Sequence, residues 1–155
     1  MFIWIDRALA VAIHDRQLAE HGGVAGVRDE SLLESALARP QQTLSYSDRA
    51  SDLADLAAAL AYGLARNHPF VDANKRTAIV ACETFIDLNG GTLDADDAEL
   101  FPLVLALADG RLAAEEFAAW LRMHLRAMGV HEPTTPYGVR KRKPAVSKQP
   151  RRKSR

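Results

Sequence analysis

The chain has 155 residues, 48% of them hydrophobic and 26% charged, with twenty basic and twenty acidic side chains. That length suits one domain with a sizeable core, and a single cysteine, Cys82, excludes an internal disulfide. Residues Met1 to Asp6 lack the basic stretch and long apolar core of a signal peptide, and no apolar run is long enough to cross a bilayer, so a cytoplasmic protein is expected.

The balanced net charge hides a division. Nine of the twenty basic residues fall within 140–155, which holds no acid, leaving eleven basic against twenty acidic elsewhere, a formal −9. Residues 1–130 read as the folded domain and 131–155 as a basic, disordered tail. A tail of this kind could touch nucleic acid or an acidic partner. The preferred reading is a solvated extension that folds back loosely on its own acidic domain.

The first helix is expected from Asp6 to His21, with Leu9, Ile13 and Leu18 inward and Gly22-Gly23 as the stop. His14 on it reads as a packing or surface residue. A glycine-containing loop, Gly22 to Val27, leads to a short helix capped by Asp29 or Ser31 that ends before Pro40. Residues 40–51, with Tyr46 and Asp48, read as polar and irregular. Asp52 caps the next helix, where Leu53, Leu56, Leu60 and Leu64 recur at helical spacing, and Pro69 ends it at His68. In the helix after that, Ala78, Ala81, Phe85 and Leu88 share a face with Ile79, Cys82 and Ile86 beside them. Cys82 reads as a buried, inert thiol.

Asn89-Gly90-Gly91 stops that helix. Asp94 is expected to cap another, which Pro102 can kink and Asp109-Gly110 ends. The last helix is expected from about Ala113 to Met128, with Phe117, Trp120, Leu121, His124 and Leu125 on one broad face. Trp120 and His124 read as packing residues, since no second ligand type recurs at zinc-like spacing. No long alternating pattern argues for strands and no period for repeats. The fold class is all-α, a compact bundle of about six helices.

The chemistry concentrates between the third and fourth helices, in His68-Pro69-Phe70-Val71-Asp72-Ala73-Asn74-Lys75-Arg76. Asp72 or Asn74 can cap the following helix, whose first turn then carries Lys75 and Arg76. Free N–H groups at a helix N-terminus attract phosphate, and adjacent cations strengthen that attraction. One carboxylate beside phosphates suits Mg²⁺, which takes few protein oxygens. His68 at the edge could accept a proton from an attacking hydroxyl. Singly, these residues have ordinary uses as caps, as a histidine near a helix end and as a solvated basic edge. However, cations at a helix N-terminus oppose its dipole, which favours an anionic ligand. Together the groups suggest phosphoryl or nucleotidyl chemistry on a nucleotide.

The run His68-x-Phe70-x-Asp72-Ala73-Asn74-Lys75-Arg76 resembles the signature loop of the death-on-curing (Doc) toxins of the Fic/Doc superfamily. Its setting is similar too. An alanine-rich helix precedes it, and a helix ending Phe85-Ile86-Asp87-Leu88-Asn89-Gly90 follows. Upstream, His21-Gly22-Gly23-Val24-Ala25-Gly26-Val27-Arg28-Asp29 and the stretch from Leu33 to Pro40 add to the likeness, which spans roughly residues 5 to 128.

This resemblance implies a Fic/Doc-like helical bundle whose loop binds ATP with magnesium. It further implies transfer of a phosphoryl group to a threonine of elongation factor Tu, which halts protein synthesis. Carried over by position, His68 is the general base and Asp72 holds Mg²⁺. Asn74, Lys75 and Arg76 bind and neutralise phosphates, and Phe70 anchors the loop. Positioning and charge neutralisation are what phosphoryl transfer asks of a protein. The implied partner is a small antitoxin encoded beside the toxin, whose disordered C-terminal segment folds onto it.

Lys75 marks a branch point. AMP-transferring Fic enzymes usually have glycine there, which leaves room for a backbone anion nest. Their second arginine, three residues after the first, is Ile79 here. Ala73 replaces the commoner glycine, as in some Doc sequences. The changes at Lys75 and Ile79 favour phosphoryl transfer, with an AMP transferase or a catalytically inactive nucleotide- or antitoxin-binding module as alternatives.

Overall fold

Six helices carry the fold in a computed structural model, which describes residues 1–127. They are α1 (Arg7–His21), α2 (Glu30–Tyr46), α3 (Leu53–Asn67), α4 (Asn74–Leu88), α5 (Asp97–Asp109) and α6 (Ala114–His124). Two three-residue strands, β1 (Gly91–Leu93) and β2 (Leu125–Ala127), complete the described chain. The all-α class holds, and among the described residues no helix is long and apolar enough to cross a membrane.

Helix α3 is the axis of the bundle, packing against α2, α4, α5 and α6. Its leucines and alanines are buried almost all round, as an element covered on several sides requires. Small side chains permit close approach. A Cβ on Gly63 would stand 3.0 Å from the Cα of Ala36 on α2, so glycine sets the α2–α3 spacing there. Helix α4 lies against α3 on one flank and against α1 and α5 on others, which seats its N-terminus on the core.

Four aspartates start four helices. Asp6, Asp29, Asp52 and Asp96 each accept a hydrogen bond from the backbone N–H three residues on, a contact worth about 1 kcal/mol. In α3 and α5 the bond is reciprocated by Asp55 and Glu99. At the N-terminus, Phe2 and Trp4 stack on Phe85 with ring centroids 6.4 and 5.9 Å away. The Asn89 amide clasps the Ile3 backbone, accepting from its N–H at 2.7 Å and donating to its carbonyl at 2.9 Å.

Three expectations need correction. First, α2 does not end before Pro40 but runs through it to Tyr46, so residues 40–46 are helical. An interior proline costs about 3 kcal/mol. Here it lies on the buried face with Leu33 and Ala36, and burial along that face offsets the lost backbone bond. Second, Asp96 rather than Asp94 caps α5. The Asp94 N–H instead donates to His124 O at 2.8 Å, extending the chain beyond β1. Third, the last helix stops at His124, and Leu125–Ala127 pair antiparallel with Gly91–Leu93. Three-residue strands are too short for alternation to reveal. Pro102 is exposed within α5, which continues across it. The tail expected at 131–155 lies outside the described residues.

Candidate active site

Helix α3 ends at Asn67, and the motif loop crosses to α4, which begins at Asn74. Both loop margins are left-handed: His68 has φ 49° and ψ 56°, and Ala73 has φ 62° and ψ 29°. They are the only non-glycine residues with positive φ among the described residues. Each such residue costs about 1–2 kcal/mol, and neighbouring contacts must hold it there.

Those contacts come from three directions. Within the loop, Asn74 Oδ1 accepts from the Phe70 N–H at 2.9 Å, and its Nδ2 donates to the Phe70 carbonyl at 2.9 Å. From α1, the buried His14 ring stacks on Phe70, centroids 3.9 Å apart and 7° from parallel. Its Nε2 lies 2.9 Å from the Asp72 carbonyl, an acceptor, so that nitrogen carries the proton. From the glycine-containing loop, Val27 bridges Phe70 in antiparallel fashion. The Val71 N–H donates to Gly26 O at 3.0 Å, and the Arg28 and Asp29 N–H groups donate to Pro69 O at 2.7 and 3.1 Å.

Neither Asp72 nor Asn74 caps α4 by a side chain, which corrects that expectation. The N-cap is Ala73. Asp72 instead accepts from the Ala73 N–H at 2.8 Å and from the Val24 N–H at 3.0 Å, one to each oxygen. These backbone bonds, aided by the Arg76 charge, hold its carboxyl below the ordinary aspartate range. The site carboxylate is therefore ionised at neutral pH. Gly23 makes room for it: a Cβ there would stand 2.9 Å from Asp72 Oδ2, and its φ of 131° suits glycine.

His68 is half-buried on the other side. Desolvation, then the charges of Lys75, Arg28 and Arg66, pull its imidazole below the ordinary histidine range. It is neutral near pH 7, as a proton acceptor must be. The first α4 turn presents the N–H groups of Asn74, Lys75 and Arg76, which lack intrahelical acceptors; the Thr77 N–H is the first to bond back, to Ala73 O at 3.0 Å. Among the described residues, the Arg76 Nε and the Thr77 hydroxyl are buried without a hydrogen-bond partner. An orphaned guanidinium donor beside a helix N-terminus fits an anion.

The site therefore brings His68, Asp72, Lys75 and Arg76 to one loop and one helical turn, while the Asn74 side chain points back onto Phe70. No group of three or more His, Cys, Asp or Glu among the described residues could hold a metal by itself. One ionised carboxylate beside an anion site fits Mg²⁺ that takes its remaining ligands from phosphate and water. Cys82 is fully buried, and desolvation pushes its thiol far up, so it takes no part. Trp120 and His124 stack 4.0 Å apart and lie among the packing residues. Sequence reasoning missed His14, Val24 and Arg28 as supports of the loop. Only His14 left a signal, as a polar residue on the inward face shared by Ala10, Ile13 and Gln17.

The Fic/DOC family model matches residues 4–86. A Toxin Doc from Mycolicibacterium smegmatis is 53% identical over 75 residues, covering 48% of this chain and 58% of that protein. A protein kinase doc from Escherichia phage P1 is 33% identical over 112 residues, covering 72% of this chain and 87% of that protein. The chain belongs to the Fic/Doc family. Both relatives are Doc proteins, and the chain spans little more than half the length of the first.

Proposed function

We propose that the chain is a Doc-type toxin that passes the γ-phosphoryl group of ATP to a protein hydroxyl and so arrests protein synthesis in the cytoplasm. The observation that carries this reading is a neutral imidazole, His68, and an ionised carboxylate, Asp72, flanking the open N-terminus of α4. His68 accepts the proton of the attacking hydroxyl. The N–H groups of the first α4 turn, with Lys75 and Arg76, hold and neutralise the phosphates, and the buried Arg76 Nε has a donor to give them. Since the Asn74 amide is engaged with Phe70, its contribution to the phosphates is its backbone N–H. When bound at Asp72, Mg²⁺ would supply charge neutralisation at the phosphates.

The names of both relatives, a toxin and a protein kinase, support this reading. The resemblance supplies elongation factor Tu as the substrate and a small adjacent antitoxin, in a type II pair, as the partner. Lys75 speaks against AMP transfer, because its side chain occupies the position where glycine would leave a backbone nest. The test is incubation with elongation factor Tu and ATP labelled separately at the α and γ positions. The native chain should transfer only γ label, and a folded His68→Ala variant should transfer none. Alpha label without γ label would make the chain a nucleotidyl transferase, and undiminished γ transfer by His68→Ala would remove His68 from the mechanism.

A further inference from the structure

Arg28 was assigned above only a charge that helps keep His68 neutral, and it precedes His68 by 40 residues. Yet it donates to three consecutive carbonyls of the loop. Its Nη2 reaches Asn67 O at 2.9 Å, its Nε reaches His68 O at 2.7 Å, and its backbone N–H reaches Pro69 O at 2.7 Å. The last carbonyls of a helix lack intrahelical donors. A planar guanidinium can serve two of them at once in a fixed orientation, which a lysine ammonium cannot. The same turn is tied on its far side, where Asn67 Nδ2 donates to Leu32 O on α2 at 2.9 Å.

We propose that Arg28 is the positioning residue for His68: it grips the peptides on either side of the His68 Cα in their left-handed arrangement and thereby fixes where the imidazole points. Backbone φ and ψ set the direction of the Cα–Cβ bond. Released from the grip, a residue before proline relaxes toward extended geometry, and its Cβ swings away from the α4 N-terminus. The left-handed state is disfavoured by roughly tenfold or more for a side chain with a Cβ, so the grip decides which population the site holds. This inference rests on His68 being the base.

Two Arg28 variants separate grip from charge. Three cations face the imidazole: Lys75 from α4, Arg66 from α3 and Arg28 from the loop. Arg28→Lys keeps the charge and loses the fork, whereas Arg28→Gln loses both. In the full chain, each should lower kcat for γ-phosphoryl transfer by about tenfold with the KM for ATP unchanged. The His68 ring titration, followed by NMR, should stay near native in Arg28→Lys and move up in Arg28→Gln. The strong intraresidue amide-to-Hα NOE of a left-handed residue 68 should weaken in both. Circular dichroism checks that each variant is folded. A folded Arg28→Lys chain with native kcat, or with an unchanged residue 68 NOE, overturns the proposal. The NOE requires no substrate, so it decides the question even if the native chain transfers nothing to the factor. Failure of His68 as base would appear separately, as retained transfer by His68→Ala.

Discussion

Replacing Asn74 with alanine should unfasten the motif loop, and the structure sets the size of the effect. The Asn74 amide closes on the Phe70 main chain through two bonds of 2.9 Å. Both partners are shielded, Phe70 being 1% exposed and Asn74 8%. Truncation strands one buried donor and one buried acceptor, each costing about 1–3 kcal/mol. Partial relaxation of the loop brings the expected loss to roughly 3 kcal/mol, or about 10 °C in Tm for a domain of this size. The better helix propensity of alanine returns less than about 0.7 kcal/mol. Asn74→Asp refines the test. A carboxylate can still accept from the Phe70 N–H but cannot donate to the carbonyl, so stability falls at neutral pH. Protonation restores a donor, which raises the folded pKa of that aspartate above its unfolded value. Its stability should therefore recover as pH falls, opposite to the usual aspartate. Thermal melts by circular dichroism between about pH 4 and 8 read both effects. If Asn74 served only to contact phosphate, ATP binding would suffer and the melting of the free protein would not. An Asn74→Ala midpoint within about 2 °C of native would refute the fastening role.

Two further outcomes follow from local geometry. Gly23→Ala places a Cβ 2.9 Å from Asp72 Oδ2 and 2.9 Å from a Leu18 methyl, at a φ of 131°. It should push the carboxylate off the Val24 N–H and weaken magnesium-dependent ATP binding at least about tenfold; undiminished affinity by calorimetry would contradict this. Elsewhere, burial and the nearby Asp97 and Asp87 carboxylates push the Glu83 carboxyl up to about 9 from an unfolded 4.5. The folded chain holds that proton, so its stabilising contribution is complete below about pH 4.5 and drains as pH rises through the folded pKa. Glu83→Gln should match the native midpoint near pH 5 and exceed it near pH 9. A pH-independent difference between the two melting curves would contradict it.

The helices and the motif were legible because they rest on local signals. Leucines at helical spacing, aspartate caps at Asp29 and Asp52, and Pro69 after His68 each act within a few residues. What misled the reading was long-range. Pro40 argues locally for a helix end, and only burial of its face keeps α2 going. Asp94 and Asp96 are equally good caps by type, and pairing of Asp94 with His124, 30 residues on, selects Asp96. In the site, the motif placed the polar residues together, but the backbone groups that each one engages were hidden. Asp72 and Asn74 looked like interchangeable caps. One proved to be a carboxylate held by two backbone N–H groups, and the other a strut for Phe70. His14 and Arg28 support the loop from distances of 58 and 40 residues, which spacing within the motif cannot reveal.

The small ladder of β1 and β2 gives the molecule two poles. Ala127 pairs with Gly91 just past the C-terminal end of α4, and Asn89 clasps Ile3 at the same end. Helix α4 has 15 residues, which at about 1.5 Å each separates that end from the motif loop by roughly 20 Å. The described chain thus enters and leaves the bundle at one pole and carries the motif loop at the other. A fluorophore or a solid support attached at Ile3 or Arg126 would be moored away from the motif loop. A macromolecule could then approach the motif loop without passing the mooring.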